Sequence, residues 1–252
     1  MSSAWVNPAG GLRYHTRALL GARSWAPFRR ALDAWLASFQ PGAERVLLVG
    51  PSAAHCISDA FLSRFTDITA LEPDPLAGFL LTRRLRRLGV QARVERRDRL
   101  IRPLLDGTGG LAELLRSDAR LPVVFCNVLG QTRFLLRDAE FFRFKAQFRK
   151  EIVPLLESRA WLSFHDRLSG ALAPAFSAPF LAACRLSDAE VLSELYRAHS
   201  LTLSAELFDH QSDGFFPEQQ PHAYFTWQID RERYHLIEAV SVGAPPSSRP
   251  SE

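Results

Sequence analysis

The stretch that most constrains the fold is residues 44–74, ERVLLVGPSAAHCISDAFLSRFTDITALEPD. Arg45 to Val49 is a short apolar run ending in Gly50, which fits a strand buried on both faces of a parallel sheet. Ala54, Ile57, Phe61 and Phe65 follow at helical spacing, so a helix is expected from Ala54 to Phe65, with Ser52 as its N-cap. Ile68 to Leu71 is a second apolar run, and it stops at Glu72. Strand, tight turn, helix, strand and acid make one βαβ unit. Such a unit can hold an adenosine, with the turn facing the ligand and the acid meeting the ribose hydroxyls.

The rest of the chain extends that unit. Residues 1–24 are a mixed segment with Trp5, Tyr14 and His15, suited to cover a sheet edge or lie over a pocket. Pro27 is expected to open a helix whose stripe is Phe28, Leu32, Trp35, Leu36 and Phe39, closed by Pro41-Gly42. Asp74 and Pro75 read as N-cap and first residue of a helix ending near Gly89, and Val90 to Glu95 as a third strand. Pro122 to Asn127 is a fourth buried strand. Arg137 to Glu157 is the longest helical pattern, and Ala160 to Phe164 is a fifth strand ending at His165-Asp166. Ser187 to Glu190 is a capping box opening another helix. Leu201 to Leu207 and Phe225 to Ile229 alternate apolar with polar residues and are expected as the sixth strand and the returning seventh. The Phe215-Phe216-Pro217 tip between them reads as packing or a lid. The expected layout is an N-terminal helical cap over 1–42, an α/β domain over 43–240, and a Pro/Ser-rich disordered tail over 241–252.

Composition narrows the function classes. A net charge of +4 rests mostly on arginines scattered over helix faces, which describes solvated surface better than a nucleic-acid groove. Cys56, Cys126 and Cys184 are far apart in apolar surroundings, with no disulfide framework and no metal spacing, so no metal site is expected and a reducing, cytoplasmic setting is. No basic stretch followed by an apolar run opens the chain, so no signal peptide is expected, and no apolar run is long enough to span a membrane.

Five βα units, a sixth strand and a seventh returning beside it resemble the class I S-adenosylmethionine-dependent methyltransferases over roughly Arg45 to Asp230. Val46 to Ala54 resembles the family's glycine-rich loop, with Gly50 kept, Leu48 where the family carries an acid, and Ser52 and Ala53 where further glycines are usual. Leu71-Glu72-Pro73-Asp74-Pro75 is similar to the motif whose acid binds both ribose hydroxyls. Asp98 resembles the residue that contacts the adenine amino group, and Asn127 the polar residue near the transferred methyl. The resemblance implies a Rossmann-like α/β fold: a seven-stranded, mostly parallel sheet with an antiparallel last strand and helices on both faces. It further implies S-adenosyl-L-methionine as cofactor, held by Gly50, Ser52, Ala53, Glu72, Asp98 and Asn127; the position of His55 in the same turn adds it as a candidate cofactor contact.

The residues add their own argument. The Cβ atoms of Ser52 and Ala53 would obstruct a pyrophosphate, which S-adenosylmethionine lacks, so the loop disfavours a dinucleotide. His55 lies in the cofactor turn, where a neutral imidazole can meet the cofactor carboxylate or a substrate. His165-Asp166 offers a base and an orienting carboxylate, so His165 is a candidate catalytic residue beside Asn127, which the resemblance places near the transferred methyl. His210 and His222 flank the last loop without metal spacing. Methyl transfer from a sulfonium asks mainly for in-line alignment. The expected function is methyl transfer to a small-molecule acceptor. The alternative from the glycine-poor loop is a non-catalytic module that binds a partner protein.

Overall fold

Short apolar runs with branched side chains become the sheet, because every backbone polar group in a doubly buried segment must find a ladder partner. The computed structural model describes residues 11–197 and 207–243. The strands are β1 (Arg45–Val49), β2 (Asp67–Leu71), β3 (Gln91–Glu95), β4 (Val123–Cys126), β5 (Trp161–Gly170), β6 (Phe180–Ala182), β7 (Leu207–Asp209), β8 (His222–Gln228) and β9 (Tyr234–Val242). They form one nine-stranded sheet in the order β3-β2-β1-β4-β5-β9-β8-β6, with β7 pairing β5 off this path. β3, β2, β1, β4 and β5 run parallel; β9 is antiparallel to both β5 and β8.

Two helical layers cover the sheet. On one face lie α2 (Ala22–Ala37), preceded by α1 (Gly11–Leu20), then the short α3 (Asp59–Leu62) and α4 (Pro75–Arg87). Leu32, Leu36, Leu81 and Leu85 from this layer meet Val46, Leu48, Val124 and Phe225 of the sheet. The other face is covered by α5 (Ile101–Asp106), α6 (Leu111–Ser117), α8 (Asp138–Gln147) and α9 (Val153–Leu156), after α7 (Val128–Leu135) has left β4. There Leu47, Val49, Phe125 and Trp161 meet Leu104, Leu115, Phe141 and Phe148. Successive residues of β1 therefore feed opposite cores, as the period of two requires. The Arg137–Glu157 pattern is realised as α8, a π-helical turn at Phe148–Ile152, and α9. Phe215 and Phe216 are core residues, and Phe216 stacks on Trp161 with ring centroids 4.6 Å apart.

The expected fold class is present, a mostly parallel Rossmann-like α/β sheet with helices on both faces, but the sheet has nine strands rather than seven, and the short β6 and β7 run antiparallel as well as the returning β9. Several local expectations are corrected. Ala54 takes a positive φ of 55°, which stops a helix from starting there, and the helix begins only after Ser58, whose side chain accepts from the Phe61 N–H. Pro27 lies inside α2 rather than at its start. Phe225 to Ile229 is not the returning strand: β8 lies one place further out, and β9 returns between it and β5. β9 escaped the sequence reading because both its faces are buried, which erases the polar alternation. β5 does not stop at Phe164; it continues to Gly170, so His165 and Asp166 are mid-strand and buried. Of the expected sixth strand, residues 201–206 lie outside the described residues, as do Trp5 and residues 244–252 of the expected tail.

Candidate functional site

The site is built at the carboxyl ends of the parallel strands, where the chain reverses direction between β1 and β4 and the loops diverge. A cavity of about 770 Å³ opens there, in the size range of cofactor and small-ligand sites. Its floor is the turn after β1. Gly50 takes φ 65°, and a Cβ there would stand 2.6 Å from the Val128 Cβ, so only glycine fits. Ser52 and Ala54 also hold positive φ, at 53° and 55°. The turn thus keeps a backbone suited to glycine at positions filled by other residues. Arg84 bolts it down, donating to the carbonyls of Ala54 and Ile57.

Glu72 grips this turn. Its Oε2 accepts from the Ser52 N–H at 2.6 Å and its Oε1 from the Asp74 N–H at 2.9 Å. The side chain is buried, yet it lines the cavity. Burial pushes its carboxyl up to about 7, against the two backbone N–H groups that favour the charged form. Asp74 caps α4 through the N–H groups of Leu76 and Ala77, and its other oxygen accepts from the Gly11 N–H at 2.8 Å, tying α1 to the rim.

The other expected site residues are distributed unevenly. Ser52, Asp98 and Asn127 line the cavity with Gly50 and Glu72. Asp98 is already engaged in capping, accepting from the N–H groups of Leu100, Ile101 and Arg102. Ala53 and His55 are not in the wall. Ala53 is buried, and His55 pairs with His15 of α1 at 2.9 Å. Burial, with His15 and Arg84 near, pushes the His55 imidazole down to about 4, so it is neutral.

His165 is not brought to the cavity either. It projects from the opposite face of β5, bonded to Ser163 at 2.9 Å and facing Glu238 across the strand pair. Its neighbour Asp166 faces the cavity instead, because adjacent strand residues point to opposite faces. Asn127, held at φ 57°, donates to Asp166 Oδ2 at 3.1 Å and accepts the Asp166 N–H at 2.7 Å. Gln131 of α7 donates to the same Oδ2. His235 Nδ1 meets Asp166 Oδ1 at 2.8 Å. Burial would raise the Asp166 carboxyl, but His235, with His210 and Asn127, overcomes it and holds the group down to about 2. Asp166 is therefore a buried carboxylate held toward its ionised form, with both oxygens occupied.

His235 and Trp227 were missed by the sequence reading, which paired Asp166 with the wrong histidine. A β-bulge at Arg167 shifts the parity of β5, so Ser169 pairs with His235 on the cavity face. No sequence signal announces that shift. Asp166, His210 and His235 also bring one ligand atom each within 4.8 Å of one another, a grouping that the linear spacing does not suggest.

The parallel β3-β2-β1-β4-β5 order, with antiparallel β9 between β5 and β8 and an acid-ended β2 at a ligand-sized cleft, is a Rossmann-like layout consistent with the methyltransferase fold that the sequence resembles. The chain has low similarity to several solved structures. YjhP from E. coli is 16% identical, with 65% of this chain and 59% of that chain covered and a TM-score of 0.35. A SAM-dependent methyltransferase from Thiobacillus denitrificans, solved with S-adenosyl-L-homocysteine, is 16% identical over 79% of this chain and 60% of that one, with a TM-score of 0.30. A TehB-like SAM-dependent methyltransferase from Corynebacterium glutamicum is 12% identical over 90% and 93%, with a TM-score of 0.36. The chain spans less than two thirds of the length of the first two. Likeness at this level carries nothing about activity. No protein-family model matches the chain, and no curated protein matches it.

Proposed function

We propose that this protein is an S-adenosylmethionine-dependent methyltransferase acting on a small-molecule acceptor. The observation that carries the reading is the Glu72 carboxylate, buried at the end of β2, lining the cavity and locking the turn that floors it. Each carboxylate oxygen accepts one backbone N–H and keeps a lone pair, so two ribose hydroxyls can be taken without breaking those bonds. The residues present fit the cofactor. Glu72 would hold the ribose, and Leu100 and Ile101 supply an apolar wall for the adenine beside Asp98. Gly50 and Ser52 would carry the methionine part, and Arg13 and Arg17 of α1, also in the wall, would meet its carboxylate.

When bound, the cofactor supplies an electrophilic methyl group on a positively charged sulfur. The chain has to orient that methyl and exclude water. Phe134, Leu135, Phe164 and Trp227 give the acceptor end of the cavity an apolar lining that favours a small organic molecule over a nucleic-acid backbone. The unusual turn also speaks for a working site: Ser52 and Ala54 keep the positive φ values that glycines would supply.

Calorimetric titration with S-adenosylhomocysteine tests the reading. The expected outcome is saturable binding to the wild type, and binding weakened at least tenfold in Glu72→Ala. Absence of heat and of thermal stabilisation at millimolar ligand would remove the proposal and leave the partner-binding alternative.

A further inference from the structure

The cofactor reading gives no task to the Asp166–His235 pair in the cavity wall. Asp166 lies on β5 and His235 on β9, three and four strand spacings from Glu72, so the pair stands about 14–19 Å along the cleft from the ribose position. An ionised carboxylate can only accept, so the 2.8 Å contact with Asp166 assigns a proton to His235 Nδ1, and in the neutral ring the lone pair is then on Nε2. Of the histidines among the described residues, His235 alone lines the cavity. His210 is spent elsewhere: its Nδ1 donates to the Gly130 carbonyl at 2.7 Å, so its Nε2 accepts from the Ser169 hydroxyl at 3.0 Å. Asn127 and Gln131 hold the second oxygen of Asp166, which fixes the carboxylate and through it the imidazole.

We propose that His235 is the general base of this site, positioned by Asp166, and that the methyl acceptor is a hydroxyl. The inference rests on the cofactor reading above. The acceptor's O–H bond breaks and its proton goes to His235 Nε2. An oxygen electron pair forms the new bond to the methyl carbon, and the pair of the broken sulfur–carbon bond stays on sulfur. The imidazolium so formed is paired with Asp166 and later releases its proton to water.

The presence of a positioned base favours oxygen over nitrogen. A hydroxyl must lose its proton as it attacks, whereas a neutral amine attacks with its own lone pair and needs no base. The Trp227 ring lines the cavity 5.9 Å from the His235 ring, so the acceptor meets an apolar wall beside the base. The same geometry disfavours reading Asp166, His210 and His235 as metal ligands, since a cation would have to displace the His235 proton and the Ser169 hydroxyl from atoms already satisfied.

The test has two arms. Nitrogen-edited NMR of the histidine rings should show His235 as the Nδ1–H tautomer at pH 8, and Asp166→Asn should lose that preference. Tritiated S-adenosylmethionine should label small phenols and catechols but not matched anilines and benzylamines. His235→Gln should lower that transfer at least ~100-fold, the range for loss of a general base, with unchanged affinity for S-adenosylhomocysteine. An Nε2–H tautomer, labelling of the amines alone, no labelled hydroxyl, or an undiminished His235→Gln rate would overturn the proposal while leaving the cofactor reading standing. Tight cobalt(II) binding that is lost in His210→Ala would overturn it in favour of a metal site. Failure of S-adenosylhomocysteine to bind would sink the cofactor reading and this inference together.

Discussion

At the scale of single residues, Glu72 combines two demands that pull its ionisation in opposite directions. Burial favours the neutral acid, while the N–H groups of Ser52 and Asp74 and any ribose hydroxyl favour the carboxylate. Its folded value of about 7 lies above the ordinary 4.5, so between those pH values the native state holds more protons than the unfolded chain. This group's contribution to stability is therefore greatest below about 4.5 and is lost as pH rises through 7. The span corresponds to on the order of 3 kcal/mol as an upper bound. Urea unfolding followed from pH 5 to pH 8 should show that decline in the wild type and a flatter profile in Glu72→Gln. Affinity for S-adenosylhomocysteine should rise over the same interval, because ribose hydroxyls donate to the ionised form. Ala54 carries a different cost. At φ 55° its Cβ is strained, and Ala54→Gly should stabilise the protein by about 0.5–1 kcal/mol in denaturant unfolding.

At the scale of elements, α7 and β5 decide how the acceptor end of the cleft is built. Gly130 brings α7 so close to β5 that an added Cβ would stand 2.6 Å from the Asp166 carbonyl oxygen and 2.7 Å from its nitrogen. Backbone at that distance cannot swing aside as a side chain can. Gly130→Ala should therefore cost about 1–3 kcal/mol and push Gln131 and Asn127 off the Asp166 carboxylate. The check is denaturant unfolding together with the tautomer state of His235, which should lose its bias as the carboxylate loosens. A substitution on the other face, at His165, is not expected to shift that tautomer, because its ring faces Glu238 and the Phe216 core.

At the scale of the whole molecule, the N-terminal helices play unequal parts. α2 is a full member of the core: Trp25, Phe28, Leu32 and Leu36 are buried, and Phe28 stacks on Trp227 at 4.8 Å. α1 is a lid element, tied by the Gly11–Asp74 and His15–His55 hydrogen bonds and lending Gly11, Arg13, Tyr14 and Arg17 to the cavity wall. Deleting residues 1–20 should leave a cooperatively unfolding sheet domain and weaken S-adenosylhomocysteine binding about tenfold or more, read by circular dichroism and calorimetry. The α2 stripe and the strands share one hydrophobic cluster.

Much of this was written locally. Arg45–Gly50 and Ile68–Glu72 declare a buried strand, a turn and an acid through apolar runs and their stops. Asp74-Pro75 declares a helix start by capping chemistry, and short-range rules suffice for such features. The βαβ order followed, and with it the place of Gly50, Glu72 and Asn127 at one end of the sheet. What only the tertiary structure decided are the contacts made across distant segments. His235 meets Asp166 because β9 returns antiparallel beside β5 and a bulge at Arg167 turns Ser169 to the cleft. Periodicity reports which residues of one strand share a face. It carries no information about which strand lies alongside, and the partner of a buried carboxylate is set by that neighbour.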